Sequence, residues 1–331
     1  MHVERTLPRV LLLTTGGTIQ ASGAGRTGNA LADYRIGATP ASALLSAVPE
    51  IGAIAQLAFE ELANIDSAAV DLDLLRVLVS RIQAALASGP IAGIVITHGS
   101  DTLEETAYFL NLVLATGQPV VLTAAMRPAT GLSADGPLNL LDAVRVAVDP
   151  ASAGRGVLVV MNGQIHAARD VTKTRARGVE TFASPDTGPL GFADPDLIRY
   201  YRRPDYCHTT TSHFAGIDLA ALPRVDVVAT HQEAGAESLR ASRRAGAGGI
   251  VIADPFLPVL QVAAHDATEQ GMAVVLANRG WGGRVRMEEG YHAAGVIPAD
   301  NLPPRKARIL LRLALARTRD RTKLGQFFQN H

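Results

Sequence analysis

Short runs of apolar, largely β-branched residues alternate along this chain with longer segments of helical period. In the first half, four such runs predict buried strands at residues 10–14, 93–97, 120–124 and 156–161. Apolar residues at helical spacing predict helices at residues 72–87, 102–116 and 138–147. Continuous apolar strands that alternate with helices are typical of a parallel sheet covered on both faces. The pattern therefore predicts an α/β fold.

The alternation weakens between residues 198 and 223, where the sequence is polar and aromatic. It resumes with predicted strands at 225–229, 249–252 and 273–276 and helices at 237–245, 260–269 and 305–317. We therefore expect two α/β domains with mainly parallel sheets. The larger, flavodoxin-like N-terminal domain covers residues 1–198, a linker covers 199–222, and the smaller C-terminal domain covers 223–331.

Composition excludes several classes of protein. Basic and acidic residues balance at 31 each, so the basic excess typical of nucleic-acid binding is missing. No apolar run approaches about 18 residues, so we expect no membrane span. Cys207 is the single cysteine, which excludes an intramolecular disulfide. The start of the chain, with His2, Glu4 and Arg5, does not resemble a signal peptide. We expect a cytoplasmic protein, or a periplasmic one whose signal peptide has been removed.

Polar residues and glycines follow the predicted strands of the first domain. They occupy residues 15–18, 98–101, 125–128 and 162–163. In open parallel sheets, ligands bind beyond the carboxyl ends of the strands. The sequence therefore predicts a site at this edge of the sheet.

Two motifs at this edge carry hydroxyl groups. In T-T-G-G-T-I-Q at residues 14–20, two glycines allow a sharp turn, so that Thr18 either projects into the crevice or only caps the turn. In T-H-G-S-D-T-L-E-E-T-A at residues 97–107, Ser100 and Asp101 begin a helix. Asp101 with Glu104 resembles a capping box, which leaves a cap and a site residue as equal alternatives.

Two further motifs lie on loops. The segment A-M-R-P-A-T-G-L-S-A-D-G-P-L-N-L at residues 125–140 predicts an ordered loop before a helix, in which Asp135 and Asn139 either brace the loop or face the site. In R-D-V-T-K-T at residues 169–174, Lys173 is either a solvated charge or a buried base with a lowered pKa. We interpret His98 as a core or supporting histidine.

Rival chemistries lack their motifs. No G-x-G-x-x-G follows the first strand, no Walker lysine follows the glycine pair, and H-E-x-x-H is absent. The stretch G-L-S-A-D-G at residues 131–136 falls short of a nucleophile elbow. A nucleotide-binding enzyme that uses G-G-T as a phosphate nest is one alternative, which nucleotide titration with thermal shift would test.

Taken together, the four motifs resemble the bacterial-type L-asparaginases, which include glutaminase-asparaginases. The resemblance runs from residue 10 to the C-terminal helix. It implies a small-molecule amide substrate, no metal or organic cofactor, and a homotetramer (a dimer of dimers) whose sites are completed by neighbouring subunits. A free-standing hydrolase of L-asparagine is the function it implies, with ammonia as a product.

The resemblance also implies residue roles. Thr18 matches the nucleophile, Tyr34 in D-Y-R-I-G matches the tyrosine of a mobile loop, and Ser100, Asp101 and Lys173 match a second catalytic constellation. The implied substrate-binding residues also include Gly17, Ser67 in N-I-D-S, and Glu288, a carboxylate donated across a subunit interface. Whether Tyr34 or Lys173 is the base in each step stays open.

Three departures from the family bear on substrate binding. Ser100 replaces a threonine but keeps the hydroxyl. Ala68 stands where a Gln or Glu binds the α-amino group of the substrate, and the stretch at residues 253–260 lacks an asparagine that exported enzymes send into the neighbouring site. We therefore expect weak binding of L-asparagine or a preference for another small carboxamide, such as glutamine, D-asparagine or an N-substituted asparagine. Asp66 could partly compensate.

Two other functions fit the same motifs less well. A subunit of a tRNA-dependent amidotransferase would carry an extra N-terminal domain, whereas nine residues precede the first predicted strand here. A non-catalytic binding protein would not need a hydroxyl nucleophile and a lysine in one crevice.

Overall fold

The computed structural model describes residues 6–331, so the positions His2, Glu4 and Arg5 lie outside the described residues. The chain divides into two compact units between Thr210 and Thr211. Each unit is built around one main sheet with helices packed against it. The predicted fold class, with two α/β units and mainly parallel sheets, is confirmed.

The first unit contains an eight-stranded sheet in the order β12-β11-β8-β7-β6-β5-β1-β4. The five strands from β4 to β7 in this order are parallel, and the three at the other edge are antiparallel. The unit also has two small two-stranded sheets, β2 with β3 and β9 with β10. The strands are β1 (Arg9–Gly16), β2 (Ser22–Gly23), β3 (Tyr34–Arg35), β4 (Gln56–Ile65), β5 (Gly93–Thr97), β6 (Val120–Thr123), β7 (Val157–Met161), β8 (Gln164–Ala167), β9 (Thr172–Lys173), β10 (Phe182–Ala183), β11 (Gly191–Ala193) and β12 (Ile198–Tyr200).

The central strands of this sheet are buried on both faces. Val95 packs in a core cluster with residues of the helix that follows β6, including Val144. Its neighbours Ile94 and Ile96 point to the opposite face, because side chains alternate along a strand, and they are also fully buried. This explains why the central strands are continuously apolar. The helices of the unit are α1 (Ala41–Ser46), α2 (Leu72–Ala87), α3 (Leu103–Val113) and α4 (Gly136–Val148).

The second unit has a four-stranded parallel sheet in the order β13-β14-β15-β16. The central strand β14 is buried along its whole length, and α8 packs against β13, β14 and β15. The strands are β13 (Val225–Ala229), β14 (Gly249–Ala253), β15 (Ala273–Ala277) and β16 (Ile297–Pro298). The helices are α5 (Glu237–Arg244), α6 (Pro258–Glu269), α7 (Glu289–Ala293), α8 (Pro304–Leu315) and α9 (Arg321–Asn330).

The stretch expected to start the linker instead begins with an edge strand. β12 pairs with β11 in the main sheet, and Tyr200 packs against the core of the first unit. The Tyr200 hydroxyl bonds the Ser152 hydroxyl at 2.7 Å, and the Arg155 guanidinium lies 4.0 Å from the ring centroid. These contacts come from distant parts of the chain, so the local sequence does not show them. Among residues 6–331, no helix has both the length and the apolar composition needed to cross a membrane.

Burial along α2 predicts how much two neighbouring side chains contribute to stability. Leu78 is 0 % exposed and Val77 is 45 % exposed. We expect Leu78→Ala to lower the free energy of unfolding by about 2–5 kcal/mol, because it leaves a cavity in the core. Val77→Ala, the matched control, should change it by less than about 0.5 kcal/mol. Urea denaturation of both variants would measure this, and equal effects would contradict the packing described for α2.

Candidate active site

The ends of β4, β1 and β5 meet backbone to backbone. Gly17 follows β1 with a φ of 83°, and a Cβ atom there would lie 2.3 Å from Cα of Gly99, which follows β5. A Cβ atom at Gly99 would in turn lie 2.6 Å from Cβ of Ser67, just after β4. Only glycine fits these two positions, and the three turns are thereby held in contact.

Thr18 projects from the first of these turns. It begins a short 3-10 helix, is buried, and its Oγ1 lies 3.0 Å from the Tyr34 hydroxyl, with which it forms a hydrogen bond. Tyr34 lies on β3, which pairs with β2. The contact brings the predicted nucleophile and the predicted tyrosine together.

Lys173 lies on β9 and its side chain is only 13 % exposed. Its Nζ donates hydrogen bonds to Ser100 Oγ at 2.9 Å and to Asp101 Oδ1 at 2.5 Å. The lysine is therefore paired rather than freely solvated. Asp101 does not cap α3, since the N-cap residue is Thr102, whose hydroxyl donates to the Ser67 carbonyl at 2.8 Å.

The turn after β4 supplies a further hydroxyl and a carboxylate. Ser67 is 3 % exposed, and Asp66 is exposed with one carboxylate oxygen accepting the Ala68 N–H at 2.9 Å. Ala68 is exposed and offers no polar side-chain atom. The carboxylate nearest to Ala68 in the sequence is that of Asp66, to which the family resemblance alone assigns no role.

These side chains line one cavity of about 210 Å³ in the first unit. Pockets for drug-sized ligands span about 300–1,000 Å³, so this one suits a small metabolite. Eight of the nine predicted site residues line it: Gly17, Thr18, Tyr34, Asp66, Ser67, Ser100, Asp101 and Lys173. The ninth, Glu288, belongs to the second unit, where it is exposed and immediately precedes α7.

Other residues also line the cavity. Gly99 and Met126 lie in the predicted strand-end segments 98–101 and 125–128, whereas sequence reasoning missed Leu31, Ala32, Ile36, Ala176 and Arg177. Leu31, Ala32 and Ile36 belong to the loop before and around β3, Met126 to the loop after β6, and Ala176 to the loop between β9 and β10. Arg177 lies in the loop between β9 and β10, where a charged residue is too common to predict a site.

Other polar residues of the motifs brace the site. The carboxylate of Asp135 accepts the backbone N–H groups of Met126 and Arg127 at 2.9 Å each. Asn139 donates to the Ala124 carbonyl at 3.0 Å and accepts the Asn162 N–H at 2.9 Å. Both residues support the loop that follows β6, as one of the two alternatives predicted.

His98 is fully buried behind the turn that carries Ser100. Its Nδ1 bonds the Gly99 carbonyl at 2.8 Å and its Nε2 bonds the Thr106 hydroxyl at 3.0 Å. Burial lowers the pKa of His98 from 6.5 to about 4, against a smaller opposing effect of the Gly99 hydrogen bond. The imidazole is therefore neutral near pH 7 and serves as a support in the core.

The cavity offers few metal ligands. Of the residues that the structure describes, two carboxylates line it, Asp66 and Asp101, and the second is paired with Lys173. The remaining polar side chains are the cations of Lys173 and Arg177 and several hydroxyls, and hydroxyls suit covalent catalysis with a positioned base. Fold and site together define an α/β enzyme of the amidohydrolase class.

Comparisons with known proteins give the family. Residues 9–206 match the family described as Asparaginase, N-terminal, and residues 224–328 match the Glutaminase/Asparaginase C-terminal domain. The chain is 39% identical over 332 residues to L-asparaginase 2 of Bacillus subtilis, covering 99% of this chain and 88% of that protein. It is 36% identical over 339 residues to the glutaminase-asparaginase of Pseudomonas fluorescens, covering 99% and 92%.

A solved structure agrees with this result. The crystal structure of a probable cytoplasmic L-asparaginase from Campylobacter jejuni superposes with a TM-score of 0.94 at 36% identity, covering 98% of this chain and all of that one. The chain therefore belongs to the asparaginase family and is an amidohydrolase of the asparaginase type.

The lowered pKa of His98 predicts a pH dependence of stability. Between pH 6.5 and about 4 the unfolded chain binds a proton at this residue and the folded protein does not. Unfolding is therefore favoured as the pH falls, by about 2 kcal/mol between pH 7 and pH 5. Urea denaturation at both pH values should show this extra loss in the wild type but not in His98→Gln. An equal pH dependence in both proteins would contradict the assignment.

Proposed function

We propose that this protein hydrolyses L-asparagine to L-aspartate and ammonia, with Thr18 as the nucleophile. The observation that carries the proposal is the meeting of two hydroxyl-centred groups in one small cavity. Thr18 lies 3.0 Å from the Tyr34 hydroxyl, and Ser100 lies 2.9 Å from the Lys173 ammonium. The names of the relatives, L-asparaginase 2 and glutaminase-asparaginase, support the same substrate class.

The first half of the reaction acylates the enzyme. Thr18 Oγ1 attacks the side-chain amide carbon while a base accepts its proton, because an unperturbed hydroxyl is a weak nucleophile. The carbon–nitrogen bond then breaks, and the nitrogen leaves as ammonia after it receives a proton. The Gly17 N–H is already bonded to the Ile65 carbonyl at 3.0 Å. We therefore assign the Thr18 N–H as the donor on this turn that stabilises the oxyanion.

The second half restores the enzyme. A water molecule attacks the ester carbon, the bond to Thr18 Oγ1 breaks, and the threonine oxygen regains a proton as the product carboxylate is released. Tyr34 is placed to exchange a proton with Thr18 directly, and Lys173, which is held by Asp101, is placed to exchange one with Ser100. Which of the two groups acts in each half is a question for pH–rate profiles of the two variants.

The residues that bind the substrate lie in the turn after β4 and just before α3. We propose that Ser67 binds the α-carboxylate and that Asp101 and Asp66 bind the α-amino group. Asp66 is exposed at the cavity and carries the charge that Ala68 lacks. One missing charge-assisted hydrogen bond costs about 1.5–3 kcal/mol, so weaker binding of L-asparagine is expected.

We further propose that the active protein is a cytoplasmic homotetramer, in which Glu288 completes the site of a neighbouring subunit. The exposure of Glu288 at the start of α7 is consistent with such a contact. Sedimentation of the purified protein would give its mass, and Glu288→Gln would show whether this carboxylate affects turnover.

A panel of amides tests the proposed reaction. We expect ammonia release from L-asparagine, with a Michaelis constant above the low-micromolar range because the contacts to the α-amino group are reduced. Thr18→Ala should lower the rate by at least about 10³-fold, since it removes the attacking oxygen. The panel also holds D-asparagine, L-glutamine and N-acylated asparagines.

The matched control for this measurement is Thr322→Ala, because Thr322 is exposed on α9. Turnover of another amide alone would keep the mechanism and change the substrate. Undiminished turnover in Thr18→Ala would exclude this residue as the nucleophile.

Replacement of Lys173 tests the second group. We expect Lys173→Met to lower kcat by about 10²–10⁴-fold with a smaller change in KM, because a general acid–base group contributes that much to the chemical step. Lys323→Met removes a lysine that is exposed on α9 and should leave the rate unchanged. A rate in Lys173→Met equal to that of the control would show that Lys173 takes no part in proton transfer.

A further inference from the structure

Four formally charged side chains line the cavity, and two of them neutralise each other. The Lys173 ammonium lies 2.5 Å from the Asp101 carboxylate. Asp66 and Arg177 remain. Within residues 6–331, no carboxylate forms an ion pair with the Arg177 guanidinium. Among the described residues, the cavity therefore presents one cation, Arg177, that has no ion-pair partner.

The position of Arg177 is set by the hairpin that also carries Lys173. The Thr174 N–H donates to the Thr181 carbonyl at 2.9 Å, which closes the loop between β9 and β10. Inside the loop, the Thr181 hydroxyl donates to the Gly178 carbonyl at 2.6 Å, and Gly178 has a φ of 101° that favours glycine. Because the loop is closed by these bonds, Arg177 is held at the same cavity as Lys173.

The neighbouring Arg175 shows what an arginine of this loop does when an acid is within reach. Its guanidinium pairs with the exposed carboxylate of Glu180, and Arg175 does not line the cavity. Two arginines two residues apart thus differ in environment. Arg175 is neutralised by Glu180, whereas Arg177, which is also exposed, has no ion-pair partner among the described residues.

We infer that Arg177 binds a carboxylate of the substrate, so that the cavity selects amides that carry a free carboxylate. A guanidinium offers parallel N–H donors that match a carboxylate in geometry and charge, whereas the Ser67 hydroxyl offers a single donor and no charge. Asp66, the other charged lining residue without an ion-pair partner in the described part of the chain, matches an ammonium group. Since the inference names how the proposed reaction selects its substrate, it rests on the proposed function.

The test compares two substrates and two variants. L-Asparagine and its methyl ester share the side-chain amide and differ in the charge of the α-carboxyl group. We expect Arg177→Gln to raise KM for L-asparagine roughly tenfold or more with little change in kcat, and to leave kcat/KM for the ester unchanged. Arg177→Lys should recover part of the loss. Arg175→Gln removes the same charge from the same loop and should match the wild type on both substrates.

An unchanged KM in Arg177→Gln would overturn the inference, and so would an equal loss with both substrates. If the wild type releases no ammonia from L-asparagine, the proposed function fails by itself. Calorimetric titration with L-aspartate then decides the inference separately. Weaker binding to Arg177→Gln than to Arg175→Gln would support it, and equal or absent binding would overturn it.

Discussion

The contact between Gly17 and Gly99 holds the site together, because it joins the turns at the ends of two neighbouring parallel strands. No side chain fits between them: a Cβ atom at Gly17 would lie 2.3 Å from Cα of Gly99. The hydroxyl of Thr15 adds a bond of 3.0 Å to the Thr97 carbonyl at the end of the neighbouring strand. The backbones at Gly17 and Gly99 thus lie closer together than two residues with side chains would allow. Thr18 and Ser100 project from the two turns that meet there.

This contact depends on the sheet behind it. β1 pairs with β4 on one side and with β5 on the other, so the three turns have a fixed register. β1 and β4 end within two residues of Thr18 and Ser67, and β5 ends three residues before Ser100. The central portions of β1 and β5 are buried, whereas β4 is an edge strand with partly exposed side chains. A rigid sheet suits the proposed proton transfer, because a hydroxyl and its base must hold their geometry to about half an ångström. The hairpin with Lys173 and the segment with Tyr34 are then added to this frame by hydrogen bonds.

Much of the fold could be predicted because the central strands are continuous apolar runs between helices of clear period. β4 was missed, since Q-L-A-F-E-E-L-A-N-I mixes charges with apolar residues, as an edge strand with partly exposed side chains allows. β8, β11 and β12 were also missed, because strands of three or four residues owe their pairing to distant chain segments. The domain limits at residues 198 and 223 and the residue roles stay predictions.

The candidate site could be predicted in part. The rule for strand ends located Thr18, Ser100 and Asp101, but it did not show that Tyr34 and Lys173 join them, which came from the family resemblance. Arg177 had no indication of its own, because its importance depends on having no acidic neighbour, and the sequence does not show which of two nearby arginines Glu180 pairs with. Which charged side chains lie close together depends on the three-dimensional fold, so the sequence alone does not show it.

The polar residues around the site divide into those whose bonding capacity is used within the protein and those left facing the cavity. His98, Asp135 and Asn139 form their hydrogen bonds with the turns and the loop behind the site. Breaking one of these bonds would leave a buried polar group unsatisfied, at a cost of about 1–3 kcal/mol. These residues therefore stabilise the structure and are not available for the reaction. Reactive and binding groups are the ones that retain an unused donor, acceptor or charge at the cavity. By that criterion, most polar residues of the motifs fix the geometry of the site, and a smaller number are available to bind the substrate. A residue outside every motif, such as Arg177, can also be available to bind it.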